Sequence, residues 1–76
     1  MKDYNFQIGD MILDDKKHTT IVGLITDMWD DYENLKMFRI KWIRKDNGSE
    51  YDWDYGLEYL KAKIEQYNMK HYPVKE

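Results

Sequence analysis

Residues 35–44 read LKMFRIKWIR, and the fold turns on how that stretch alternates. Lys36, Phe38, Ile40, Trp42 and Arg44 share one side; Leu35, Met37, Arg39, Lys41 and Ile43 share the other. Successive strand side chains point to opposite faces, so the segment reads as one long strand. Phe38, Ile40 and Trp42 face a core, while Arg39 and Lys41 face water, flanked by Met37 and Ile43. A helix would scatter Phe38, Ile40 and Trp42 around its axis.

Working outward, Lys45-Asp46-Asn47-Gly48 reads as a hairpin turn, because Asn-Gly favours the positive φ angles of a type I′ turn. Residues 49–53 then form a fourth strand, with Tyr51 and Trp53 on one face and Glu50 and Asp52 on the other. On the other side, residues 29–34 (WDDYEN) read as a long acidic hairpin loop, where Asp27, Asp30, Asp31 and Glu33 cluster. Residues 19–28 form the second strand, supported by β-branched Thr19, Thr20, Ile21, Val22, Ile25 and Thr26. Gly23 interrupts it, as at a bulge or bend. Residues 11–13 are a short first strand, buried on both sides, entered through an Ile8-Gly9-Asp10 turn. Residues 14–18 form an exposed loop, and residues 1–7 are a polar lead-in carrying Tyr4 and Phe6.

Beyond Trp53 two readings compete. Leu57, Leu60, Ile64 and Tyr67 recur at helical spacing among good helix formers. Alternatively residues 54–57 turn and residues 58–64 form a fifth strand returning to the first. The second is preferred because a closed sheet needs a last strand, with helical structure towards Tyr67. Residues 1–67 make the domain, and residues 68–76 a polar tail in which Pro73 discourages regular structure.

Composition narrows the class. Seventy-six residues allow one domain with a modest core. Without cysteine, no disulfide or thiolate zinc site staples it. Seven Tyr, three Trp and two Phe supply the core instead, with Trp42 and Trp53 inside and the tyrosines half-buried. No apolar run approaches the ~18 residues of a membrane span, and MKDYNFQIGD does not resemble a signal peptide. The expected location is intracellular. A net charge of −3 disfavours non-specific nucleic-acid binding.

Phe6-Gln7-Ile8-Gly9-Asp10 resembles the entry to an SH3-like barrel. Gly23-Leu24-Ile25-Thr26-Asp27-Met28 is similar to the second strand of KOW- and Tudor-like barrels. Phe38-Arg39-Ile40-Lys41-Trp42, the Asp46-Asn47-Gly48 turn and Tyr51-Asp52-Trp53 resemble strands three and four, and Leu57-Glu58-Tyr59-Leu60 the turn and closing strand. The likeness spans residues 6–62. It implies a mainly β, five-stranded SH3-like barrel with a short helical segment near the C-terminus. The chain also resembles small bacteriophage-encoded proteins, which implies an accessory or virion protein, in the host cytoplasm or the virion. Tudor domains form an aromatic cage partly from the loop between strands one and two. Here that loop, residues 14–19, has only His18 as a ring. A cage from Trp29, Tyr32, Tyr51 and Tyr55 is the alternative, since cations favour aromatic faces.

Catalytic and metal readings find little support. His18 and His71 have no partner at ligand spacing and read as solvated. Asp27, Asp30, Asp31 and Glu33 do not match a calcium loop. Glu50, Asp52 and Asp54 lie on one exposed edge with no pocket implied. No nucleophile triad or Gly-rich phosphate loop appears, so neither enzyme activity nor a cofactor is expected. Lys16, Lys17, Arg39, Lys41 and Arg44 are the candidate nucleic-acid contacts of a KOW-like reading. Against it, Arg39 and Lys41 stand opposite Glu50 and Asp52 across the hairpin. An acidic DNA mimic is a further alternative, for which the charge is low. The favoured function is a non-catalytic protein–protein module. Its contact surface is expected at Trp29, Asp30, Asp31, Tyr32 and Glu33, because loop aromatics are enriched at interface hot spots. The competing expectation is that Trp29 folds back to plug the open end of the barrel.

Overall fold

The LKMFRIKWIR stretch, from Lys36 on, forms an internal strand of the computed structural model, which describes residues 5–16 and 19–74. Along the chain run β1 (Met11–Asp15), β2 (Thr20–Asp30), β3 (Lys36–Arg44), β4 (Glu50–Gly56), α1 (Leu57–Gln66) and β5 (Lys70–Tyr72). The five strands make one antiparallel sheet in the order β4-β3-β2-β1-β5. β4 and β5 are its edges and do not pair with each other, so the sheet is not closed into a barrel. Among the described residues no helix is long and apolar enough to cross a membrane.

Alternation along β3 sends Phe38, Ile40 and Trp42 inwards, all buried. They meet Ile12 of β1, Ile25 of β2, Tyr55 of β4, Phe6, and Leu60 and Ile64 of α1. Trp42 is 1% exposed, and its indole N–H donates to the Tyr55 hydroxyl at 2.9 Å. The ring is accommodated by Gly23, its partner in the register: a Cβ there would come within 2.6 Å of the indole. Gly23 thus makes room for Trp42 and is not itself a bulge. The bulge lies three residues on. Ile25 pairs with Ile40 and Asp27 with Arg39, so Thr26 is the extra residue. It reverses the alternation beyond it. Met28 joins the core side, and Trp29 lands opposite Met37 on the outer face. Trp29 therefore does not plug the sheet's open end.

Two expectations about the C-terminal third are corrected. Residues 58–64 form most of α1, not a strand, as the spacing of Leu57, Leu60 and Ile64 allows. The sheet's last strand comes from the expected tail: Lys70, His71 and Tyr72 pair with Leu13, Ile12 and Met11. Between them Asn68 takes a left-handed φ of 53°. Met69 N–H then donates to the Ile64 carbonyl at 2.9 Å, and Asn68 N–H to that of Glu65. That is a Schellman stop, and its apolar residue, Met69, packs on the core. The β3–β4 turn also differs. Of its residues only Gly48 has positive φ, so it is a longer loop than type I′, with Asn47 Oδ1 accepting the Ser49 N–H. Trp53, expected inside, is 60% exposed, because an edge strand of an unclosed sheet leaves one flank of the ring uncovered.

Trp42→Ala is expected to destabilise by about 3–5 kcal/mol in urea melts, enough to unfold much of a domain this size. A loss under ~1 kcal/mol is incompatible with this packing. Gly23→Ala forces its new methyl into the same ring, and a loss of about 1–3 kcal/mol is expected. Combining it with Trp42→Leu is expected to recover part of that loss.

Candidate functional site

Trp29, Asp30, Asp31, Tyr32 and Glu33 do not present one common surface. Trp29 and Asp30 belong to β2, not to the loop. The Arg39 guanidinium lies over the Trp29 ring, 5.4 Å from its centroid, and Asp30 is 3.2 Å from Lys36. The Asp31 carboxylate accepts the N–H groups of Glu33 and Leu35 at 2.8 and 2.9 Å, shaping the hairpin tip. Tyr32, 92% exposed, and Glu33 remain directed at solvent.

The candidate cations are matched by carboxylates. Arg39 forms a two-pronged pair with Asp54, with Nε 2.8 Å from Oδ1, and lies 3.9 Å from Asp27. Those hydrogen bonds hold the Asp54 carboxyl below its ordinary range and raise Arg39 further. Lys41 stands opposite Asp52 and pairs with Glu50 at 3.4 Å; Arg44 pairs with Asp46 at 3.0 Å; Lys16 pairs with Asp14 at 3.1 Å. Lys41 meets the expected Asp52 and Glu50 across the hairpin, whereas Arg39 stands opposite Asp54 instead. Lys17 and His18 lie outside the described residues.

No cage forms from the four rings expected. Trp29 is on the outer face, Tyr32 at the hairpin tip, and Tyr55 buried against Trp42. Burial raises the Tyr55 phenol above its ordinary pKa, opposed by the Trp42 bond. A different aromatic group gathers where α1 follows β4. Tyr55 and Tyr59 stack with centroids 5.7 Å apart. Lys63 lies 6.0 Å from the Tyr55 ring and 5.0 Å from Tyr67, which Lys16 also approaches at 5.3 Å. The cations among these tyrosines are thus the chain's own. Tyr51 and Trp53 of β4 and Tyr59 of α1 are each about half exposed or more. An open groove of about 400 Å³, lined chiefly by Leu35, Met37, Gly56, Leu57 and Tyr59, runs along the same corner. Its size lies within the range of ligand-binding clefts. Tyr59 joins this group because residues 58–64 are helical, and reading that segment as a strand hid it.

A second feature joins the sheet's far edge. Asp10 is fully buried. Its Oδ1 accepts the Val74 N–H at 2.8 Å; its Oδ2 accepts the Gln7 N–H at 3.0 Å and lies 2.7 Å from His71 Nε2. An ionised carboxylate only accepts, so Nε2 carries the proton. His71 is therefore not solvated but largely enclosed, with the Phe6 ring 4.9 Å away. The pair resembles a catalytic dyad in its components. Among the described residues, the carboxylate's other partners are main-chain N–H groups from both ends of the fold, the arrangement of a structural clasp.

Comparison with protein families, curated proteins and solved structures finds no match.

Burial alone would raise the Asp10 pKa, but the bonds from Val74, His71 and Gln7 outweigh it and lower the value below 3.8. The stabilisation is therefore complete above pH 3.8 and is lost as pH falls through the lowered folded value. Asp10→Ala leaves buried donors unanswered and is expected to cost about 1–3 kcal/mol at neutral pH. In thermal melts, the gap between wild type and Asp10→Ala is expected to stay level from about pH 7 to pH 5 and to narrow towards about pH 2. A gap unchanged at the acid end excludes the ionised carboxylate as the clasp.

Proposed function

We propose that the chain is a non-catalytic protein-binding module on an SH3-like strand arrangement of the KOW/Tudor-like type. The arrangement is supported by the return of β5 to β1 after four antiparallel strands. The binding reading is carried by one observation: Tyr59 stands exposed on the wall of an apolar groove at the β4–α1 corner, and the β4 residues Tyr51 and Trp53 are exposed as well. Tyr and Trp are the residues most enriched at interface hot spots. The proposed contact surface accordingly moves from residues 29–33 to this corner, with Tyr32 at a separate tip. A phage accessory or virion role rests on the sequence resemblance alone.

The nucleic-acid reading is weaker, because Lys16, Arg39, Lys41 and Arg44 each have a carboxylate within ion-pair reach. Phosphate mimicry is weakened by the same pairing, which sets a cation beside each of Asp14, Asp46, Glu50 and Asp54.

The test uses the chain as bait in lysate of the cells that naturally contain it, followed by titration of the purified captured protein. Trp53→Ala or Tyr59→Ala is expected to weaken binding by ~2 kcal/mol or more while changing stability by no more than ~0.5 kcal/mol. Tyr32→Ala is expected to bind normally. Loss with Tyr32→Ala alone returns the contact surface to the hairpin tip. Capture of nucleic acid with a steep salt dependence, abolished by Lys41→Glu plus Arg44→Glu, overturns the protein-binding reading.

A further inference from the structure

β4 ends the sheet, and no described segment pairs with its outer edge. That edge presents seven residues with an unshifted register and no proline. The opposite edge is built differently. β5 has three residues, carries Lys70 and runs into Pro73, features that discourage pairing with another chain.

Antiparallel alternation identifies the groups β4 turns outwards. The Arg44 N–H donates to the Ser49 carbonyl at 2.9 Å, so Ser49 faces β3, and so do Tyr51, Trp53 and Tyr55. The main-chain N–H and C=O of Glu50, Asp52 and Asp54 therefore point away from the sheet. The same three residues set their carboxylates on its outer face, the face of Arg39 and Lys41. Asp54 and Glu50 are paired with those cations, whereas Asp52 has no ion-pair partner among the described residues. Tyr51 and Trp53 lie between them, both substantially exposed.

We propose that β4 is a docking edge for an extended segment of a protein partner that carries lysine or arginine at alternate positions and adds as a sixth strand. The inference rests on the protein-binding reading above and gives the partner its chemistry. Such a strand takes up the free main-chain bonds, as in other cases of strand addition. It sets its cations beside the acidic row and its intervening side chains beside Tyr51 and Trp53. A second copy of β4 would oppose acid to acid, which is unfavourable across a ladder. The row that receives a cationic segment thus rejects self-pairing.

The probe is a capped peptide of alternating lysine and valine, as long as β4, titrated into the isotope-labelled full chain. Expected are shifts and slowed amide exchange at Glu50, Asp52 and Asp54. N-methylation of the peptide on its edge-facing residues is expected to weaken binding about ten-fold or more, the scale of lost main-chain bonds. Asp52→Pro removes an outward N–H without touching a β3 bond, and the same loss is expected. The N-methylated peptide tests the wild-type chain, so the outcome stands even if that variant unfolds. Equal binding of parent and N-methylated peptides overturns strand addition, leaving charge attraction alone. Absence of binding at about 1 mM, or a wild-type dimer that Asp52→Pro dissociates, also overturns it. If the captured protein tolerates a folded Asp52→Pro but not Trp53→Ala, strand addition fails while the protein-binding reading stands.

Discussion

Asp10 lies where the chain enters the sheet, and three partners converge on it from distant parts of the sequence. Gln7 precedes it by one turn, while His71 and Val74 arrive after every other element has been laid down. A buried carboxylate is unfavourable unless its oxygens are answered. Here each oxygen accepts at least one hydrogen bond, so the charge demands the docking of the C-terminal segment. β5, only three residues long, has little apolar surface of its own to hold it against β1. The clasp thus fixes an edge that hydrophobic burial alone would leave frayed, and α1 is tethered between that edge and β4.

The second constraint is spatial. Trp42 is large, central and hydrogen-bonded to Tyr55, and it requires a residue without a Cβ on the neighbouring strand. Past that contact the Thr26 bulge changes which side chains face inwards. One consequence is that Trp29 and Arg39 meet on the outer surface. The exposed ion pairs around them organise that face more than they stabilise it, since exposed pairs contribute little.

Much of this was legible in the residues. The alternation of Phe38, Ile40 and Trp42 located an internal strand and its buried face, and Gly9 marked the turn before β1. The helical spacing of Leu57, Leu60 and Ile64 was visible too. It was subordinated to the demand for a closing strand, which the chain supplies later from Lys70, His71 and Tyr72. Three residues are too few to display a period, and the informative signal there was Asn68 followed by apolar Met69, a helix stop. The Asp10–His71 contact follows from the β1–β5 pairing and has no local signature. Alternation assigned Trp53 to a face but contains no information on whether anything covers that face. The bulge at Thr26 was equally silent, and it alone turned Trp29 outwards. Residues 29–33 are divided for this reason, with Trp29 and Asp30 on β2 and Asp31 consumed in shaping its own loop.

The three tryptophans occupy three different surroundings. Trp42 is enclosed and hydrogen-bonded, Trp29 lies beneath a guanidinium, and Trp53 stands largely in water. Their fluorescence is therefore separable by access. A small dissolved quencher reaches Trp53 first, and Trp42 last or only on unfolding. Light emitted by Trp53 senses the sheet edge, while that of Trp42 senses the integrity of the core. The molecule carries optical reporters of occupancy and of folding in one chain, without any attached dye.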